Sequence, residues 1–216
     1  MKGKFIVLEG IDGSGKTTQL KLLGAKLTDR GLPVLYTREP GGTRIGEKIR
    51  EILLNPEYSE LVPRAEAFLY AAARAQHVAQ VILPSLAEGK IVLCDRFLDS
   101  SLAYQGFGRG IDISLLERIN EPATGGLLPD LTIIFDFCAE GGMDRINQSG
   151  RSTDRIEREK EEFHQKVSMG YLALAGRDPA RYRVIDANRP VDQVHRDVMT
   201  AAEGVLHEII TGDIRA

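Results

Sequence analysis

The 216-residue chain predicts an α/β fold, with a five-stranded parallel sheet covered by helices on both faces. Three observations predict it. Five short runs rich in Val, Ile, Leu and Phe recur along the chain. They lack strict alternation, which fits strands buried on both sides. Helical patterns fall between them, so successive strands need crossovers and run parallel.

KFIVLEG (4–10) is the first run, and Leu20, Leu23 and Leu27 then form an i, i+3, i+7 helical stripe. PVLYTRE (33–39) follows, and Pro40 with Gly41 and Gly42 forces a loop over the sheet edge. FLYAAARAQH (68–77) reads as a helix, and KIVLCDR (90–96) and LTIIFDF (131–137) as strands. Ile156, Phe163, Val167, Tyr171 and Leu174 form a second helical stripe. RYRVIDA (181–187) closes the sheet, and Pro190 opens a last helix running to about Ile210. No linker or repeat divides residues 1–216, so a single domain is expected.

Apolar residues make up 43% of the chain, enough for a core. A net charge of −3 offers no global basic field, so no nucleic-acid partner is expected. No apolar run is long enough to span a membrane, and the two cysteines, Cys94 and Cys138, lack metal spacing. A cytoplasmic location is the expectation.

One stretch carries chemistry. In LEGIDGSGKTTQ, Gly10, Gly15, Lys16 and Thr17 satisfy G-x-x-x-x-G-K-[ST] between a strand and an amphipathic helix. The loop Gly10, Ile11, Asp12, Gly13, Ser14, Gly15 would turn its amides inward around phosphates, continuing through Lys16, Thr17 and Thr18 into a helix N-terminus. Lys16 would reach the β- and γ-phosphates of ATP, and the Thr17 hydroxyl would ligate Mg²⁺. The guanine-reading and switch motifs of GTPases are absent. Asp95 ends a strand expected beside the phosphate-loop strand, where it can hold the metal through water. Arg96 follows at the carboxyl edge, where a second anion can meet its fork.

Other arginines stand out. Arg38 ends the second run, and Arg74 lies among alanines that allow close packing, with a snorkelling surface arginine as the alternative. Arg151, Arg155 and Arg158 are spaced i, i+4, i+7, so as a helix they would share one face. Their glycine-broken, polar surroundings suit either a mobile lid or a solvated charged helix.

LEGIDGSGKTTQ, TREPGGT, YAAARAQH, CDRFLDSSLAYQGFGRG, LLPDLTIIFD and GRSTDRIE, in this order, resemble the bacterial thymidylate kinases from about Lys4 to the last helix. The resemblance implies the P-loop nucleoside monophosphate kinase fold with a mobile lid at about 142–158, usually as a homodimer. It also implies transfer of the γ-phosphate of ATP to dTMP with Mg²⁺. It places Asp12 at the acceptor's sugar hydroxyl, Arg38 and Arg96 near its phosphate, Pro40 among the substrate contacts, and Arg74 on thymine. Tyr70 takes the place of a stacking aromatic that is commonly Phe. Ser101 and Gln105 match base-side contacts, Tyr104 the aromatic under the deoxyribose, and the loop after Asp186 the adenine side. The implied catalytic groups are Lys16, Asp95, Arg96 and a lid arginine, Arg151 or Arg155. A phosphate acceptor needs no general base, so charge neutralisation is the main task. A deoxynucleoside kinase, or a kinase for another nucleoside monophosphate, is the alternative.

Overall fold

The computed structural model describes residues 3–148, 150 and 152–211. The five apolar runs form strands β1 (Lys4–Gly10), β2 (Val34–Arg38), β3 (Ile91–Asp95), β4 (Leu131–Asp136) and β5 (Tyr182–Asp186). All pairings are parallel, in the order β2-β3-β1-β4-β5. β1 is central, and its residues 5–10 are buried throughout, as a strand covered on both faces requires. The register sets Leu8 beside Asp95, Arg38 beside Asp95 and Gly10 beside Phe135, so the chemistry-bearing strand ends share one edge. In open parallel sheets that edge is where ligands bind.

The helices are α1 (Lys16–Asp29), α2 (Arg44–Leu54), α3 (Pro63–His77), α4 (Leu83–Ala87), α5 (Leu98–Ser101), α6 (Ile113–Thr124), α7 (Ala139–Gln148), α8 (Glu161–Ala175) and α9 (Val191–Thr211). Wide π-helical turns at Val78–Ile82 and Leu102–Gly108 extend α3 and α5. The Leu20, Leu23, Leu27 stripe buries α1 against the sheet, and α9 ends the chain's packing with Val194, Val198, Ala202 and Leu206. On the other face Phe5, Val7, Val92 and Phe97 gather under Val78, Ile82 and Leu86. None of the described helices is long and apolar enough to cross a membrane.

Two sequence expectations need correction. Ile156 is buried but precedes α8, which begins at Glu161, so it is not part of that helical stripe. Arg155 and Arg158 lie in turns, not on one helix, and Arg151 falls outside the described residues. The reason is local. The Asp154 carboxylate accepts the amides of Ile156 and Glu157, both at 2.9 Å, a turn that competes with helix formation.

Candidate active site

β1 feeds directly into the phosphate loop. Gly10, Gly13 and Gly15 take φ values of 140°, 78° and 92°, which side chains resist. Gly15 precedes α1, so the unpaired amides of the helix N-terminus face the loop. Lys16 is buried, and its ammonium donates to the Ile11 carbonyl at 2.7 Å and to Ser14 Oγ at 3.4 Å. Burial, then the nearby Arg96, pushes its pKa down to about 8. Asp12, Asp95 and Glu9 offset the shift only in part.

Thr17 Oγ1 donates to Asp95 Oδ2 at 2.7 Å. Two hard oxygen donors side by side at the foot of the cleft fit Mg²⁺, which keeps most of its shell as water and phosphate. The described residues contain no group of three or more His, Cys, Asp or Glu side chains able to cage a metal. Above this point opens a cleft of about 900 Å³, lined by the loop through Thr18 and by Arg38, Arg96 and Arg145. Ala187, Arg189 and Val191 also line the cleft, bringing the segment after Asp186 to its wall. Gln19 was not singled out by sequence, yet its Nε2 donates to the Val191 carbonyl at 2.8 Å and fixes that wall.

Arg96 is the junction between this cleft and a second pocket; both include it in their lining. Its Nη2 donates to Asp12 Oδ1 at 2.6 Å, and its Nη1 reaches the Gly10 carbonyl at 2.8 Å and the Tyr171 hydroxyl at 3.1 Å. The Tyr104 hydroxyl donates to the other Asp12 oxygen at 3.2 Å, and the Arg96 guanidinium lies 5.1 Å from the Tyr104 ring centre. Burial alone would raise the Asp12 pKa; Arg96, then Lys16, reverses it and holds the carboxyl well below the usual range. Asp12 therefore stays an anion and an acceptor.

The lining of the second pocket includes six of the predicted substrate-side residues, Pro40, Tyr70, Arg74, Ser101, Tyr104 and Gln105, beside others such as Glu39, Ser100 and Asp154 that were not predicted. Arg74 is 1% exposed, so the snorkelling alternative fails. Its Nε donates to Glu39 Oε2 at 2.8 Å, its Nη1 to Ser101 Oγ at 3.1 Å and to Asn120 Oδ1, and its Nη2 to the Phe97 carbonyl at 3.0 Å. Four of its five N–H groups are thus bound, and the fifth has no acceptor among the described residues. Arg38 lines the cleft while gripping Glu47 through two bonds of 3.0 and 2.9 Å. Arg50, missed by sequence, lines both cavities and donates to the Pro40 carbonyl at 2.9 Å. Burial, then Arg38, depresses its pKa.

The lid region departs from expectation. Arg155 turns away from the phosphate cleft, where its Nη2 donates to Glu66 Oε2 at 2.5 Å and its Nε to the Leu53 carbonyl at 2.8 Å. Arg158 is exposed and donates to Thr153. Among the described residues of the lid region, the arginine that lines the cleft is Arg145 of α7, whose Nη1 donates to the Gly13 carbonyl at 3.0 Å and whose guanidinium sits 4.1 Å from the Phe137 ring centre. α7 comes this near because Gly142 faces Gly13: a Cβ on Gly13 would stand 2.4 Å from the Gly142 carbonyl, and one on Gly142 would stand 2.4 Å from the Asp12 carbonyl. The glycine-rich CAEGGMDRINQSG stretch was the available signal, and a contact across 132 residues is not readable from it.

Below the site, Glu9 accepts the Phe97 amide at 2.7 Å, Ser100 Oγ at 2.7 Å and the Tyr171 hydroxyl at 2.9 Å. Burial, then Asp99, pushes its pKa up to about 7. It lines neither cavity.

Comparison with known proteins agrees with this geometry. The sequence profile of the family described as thymidylate kinase matches residues 8–198. A curated thymidylate kinase of Pelotomaculum thermopropionicum is 68% identical over 216 residues, covering all of both chains. One from Symbiobacterium thermophilum is 49% identical over 202 residues, 94% of each chain. The crystal structure of thymidylate kinase from Ehrlichia chaffeensis superposes with a TM-score of 0.75 at 35% identity, covering 94% of this chain and 99% of that one. With the matched profile spanning residues 8–198 and a full-length relative 68% identical, the chain belongs to the thymidylate kinase family.

Proposed function

We propose that the protein transfers the γ-phosphate of ATP to dTMP, giving ADP and dTDP, with Mg²⁺ as cofactor. The observation that carries this reading is Arg96, a half-buried guanidinium in the lining of both cavities and bound to Asp12 between them, where donor and acceptor phosphates would meet. The phosphate-loop amides and Lys16 bind the polyphosphate, and Thr17 and Asp95 would hold the metal. Mg²⁺, when bound, neutralises charge on the phosphates. Arg38 and Arg50 draw in the acceptor's phosphate, and Arg145 takes the lid arginine's place over the loop. Asp12 accepts from the sugar hydroxyl. Arg74 offers its remaining N–H to the base, beside Ser101 and Gln105, with Tyr70 as the stacking ring. No side chain has to remove a proton, because the attacking oxygen is already an anion; positioning and charge neutralisation do the chemistry.

A deoxynucleoside kinase would need a carboxylate base facing the acceptor. Glu9 faces neither cavity, and the carboxylates that do line the acceptor pocket are engaged: Asp12 with Arg96, Glu39 with Arg74, and Asp154 with the amides of Ile156 and Glu157. Measuring ADP release with ATP alone, with thymidine and with each nucleoside monophosphate tests the reading. Turnover is expected with dTMP; turnover with thymidine but not dTMP would transfer the protein to the alternative. A homodimer in the cytoplasm completes the proposal, supported by apolar Ile45 and Ile52 of α2 and Phe68 of α3 on the surface.

Tyr104 supports a sugar-discriminating role. It lines the acceptor pocket, and its hydroxyl is tied to Asp12. A flat ring at C2′ leaves a ribose hydroxyl neither room nor partner. Tyr104→Ala should narrow the gap in kcat/KM between dTMP and its ribose counterpart. Equal loss toward both, with the ratio intact, would place discrimination elsewhere.

A further inference from the structure

Glu66 has no place in the chemistry described so far, yet it joins three parts of the acceptor site. It lies on α3 four and eight residues before Tyr70 and Arg74, so the three share one helical face. It is fully buried. Its oxygens accept Gln105 Nε2 at 2.8 Å, Arg109 Nε at 3.3 Å, Arg109 Nη2 at 3.2 Å and Arg155 Nη2 at 2.5 Å. Arg109 goes on to Glu159 at 2.5 Å. Two carboxylates and two guanidiniums balance, which makes burial of the cluster tolerable.

Arg155 is the hinge of the arrangement. Its amide donates to the Leu54 carbonyl at 3.0 Å, and its side chain holds the Leu53 carbonyl and Glu66. The residues on either side of it, Asp154 and Ile156, line the acceptor pocket. Holding Arg155 therefore holds a wall of that pocket against the C-terminal end of α2. The same carboxylate holds Gln105, which lines the pocket from the π-helical turn.

We propose that Glu66 is a positioning residue for the nucleotide acceptor: it sets the Asp154–Ile156 wall through Arg155 and orients Gln105, so that seating the base and docking the lid segment are one event. The inference rests on the reading of dTMP as acceptor. It also makes Arg155 a clamp on the acceptor side, in place of the transition-state role that its sequence context implies.

The experiment compares wild type with Glu66→Gln, Arg155→Ala and the double variant, by calorimetric Kd for dTMP and by steady-state kinetics. Each single variant should weaken dTMP binding about tenfold, the scale of losing charge-assisted hydrogen bonds, with KM for ATP changed less than about twofold. The double variant should lose less than the sum of the two single losses, since the bond between Glu66 and Arg155 is removed in both. A merely structural role would lower the melting temperature without this split between dTMP and ATP. Should Glu66→Gln not fold, Arg155→Ala, which leaves Glu66 paired with Arg109, carries the same comparison. An unchanged Kd for dTMP overturns the proposal, as does a hundredfold fall in kcat for Arg155→Ala with dTMP binding intact. A wild type that binds dTMP but transfers no phosphate overturns the phosphorylation reading alone, because the Kd comparison still stands. A wild type that does not bind dTMP overturns both.

Discussion

Replacing Lys16 with Ala is expected to lower kcat by at least about 10² to 10³, the cost of removing one preorganised donor from a transferring group in a dry site. The folded protein should survive the change. Lys16 donates only within its own loop, to Ile11 and Ser14, and no core side chain depends on it. Its lowered pKa shows that the fold bears a cost for holding this cation buried. Linkage gives the sign: the unfolded chain keeps the Lys16 proton to higher pH than the folded one does. The penalty is therefore full below about pH 8 and fades as pH rises toward 10.5. At pH 7 the alanine variant consequently escapes that penalty while losing two hydrogen bonds, so its melting temperature should stay within a few degrees of wild type. A near wild-type kcat would mean that the loop does not carry the transferred phosphate.

Arg74→Ala is expected to damage both folding and substrate use. Arg74 is paired with the buried Glu39, which also accepts His77 Nδ1 at 3.0 Å if that nitrogen carries the proton. Removing the guanidinium strands a carboxylate in the interior, along with Asn120 Oδ1 and the Phe97 carbonyl. Breaking a buried ion pair in this way costs about 3–5 kcal/mol. For a chain of this size that lowers the melting temperature by roughly 10 °C. The lost base contact should raise the barrier for dTMP by a further 1–3 kcal/mol or so, read as a fall in kcat/KM at a temperature where the variant is folded. A variant that melts like wild type would show that Glu39 finds another partner. One that melts low but keeps its kcat/KM would confine Arg74 to the scaffold.

The sheet was legible because buried parallel strands announce themselves as unbroken apolar runs, and all five runs became strands. The phosphate loop was legible because its glycines, lysine and threonine act at fixed spacing on a single local turn. Asp95 and Arg96 could be placed once β3 was set beside β1. The path of the chain at Arg155 and Arg158 was not legible. Spacing of i, i+4, i+7 is informative only on a helix, and the Asp154 carboxylate diverts the backbone before one forms. Arg145 and Arg50 escaped notice for a different reason. Arg145 owes its position to a glycine-on-glycine contact between distant segments, and Arg50 to a bond with the Pro40 carbonyl across a loop. Tertiary contacts of that kind leave no periodic trace.

Arg96 is the one non-glycine residue with positive φ among the described residues, at 71°. A backbone held there costs on the order of 1–3 kcal/mol for a residue with a Cβ. Heat tolerance and turnover therefore pull this position in opposite directions. A laboratory population selected only for surviving heat has an inexpensive gain available in glycine at position 96, and accepting it discards the guanidinium that links both cavities to Asp12. A population selected for growth on its own nucleotide supply must keep the strain. Which residue such lineages fix at position 96 records whether stability or catalysis was the limiting demand on them.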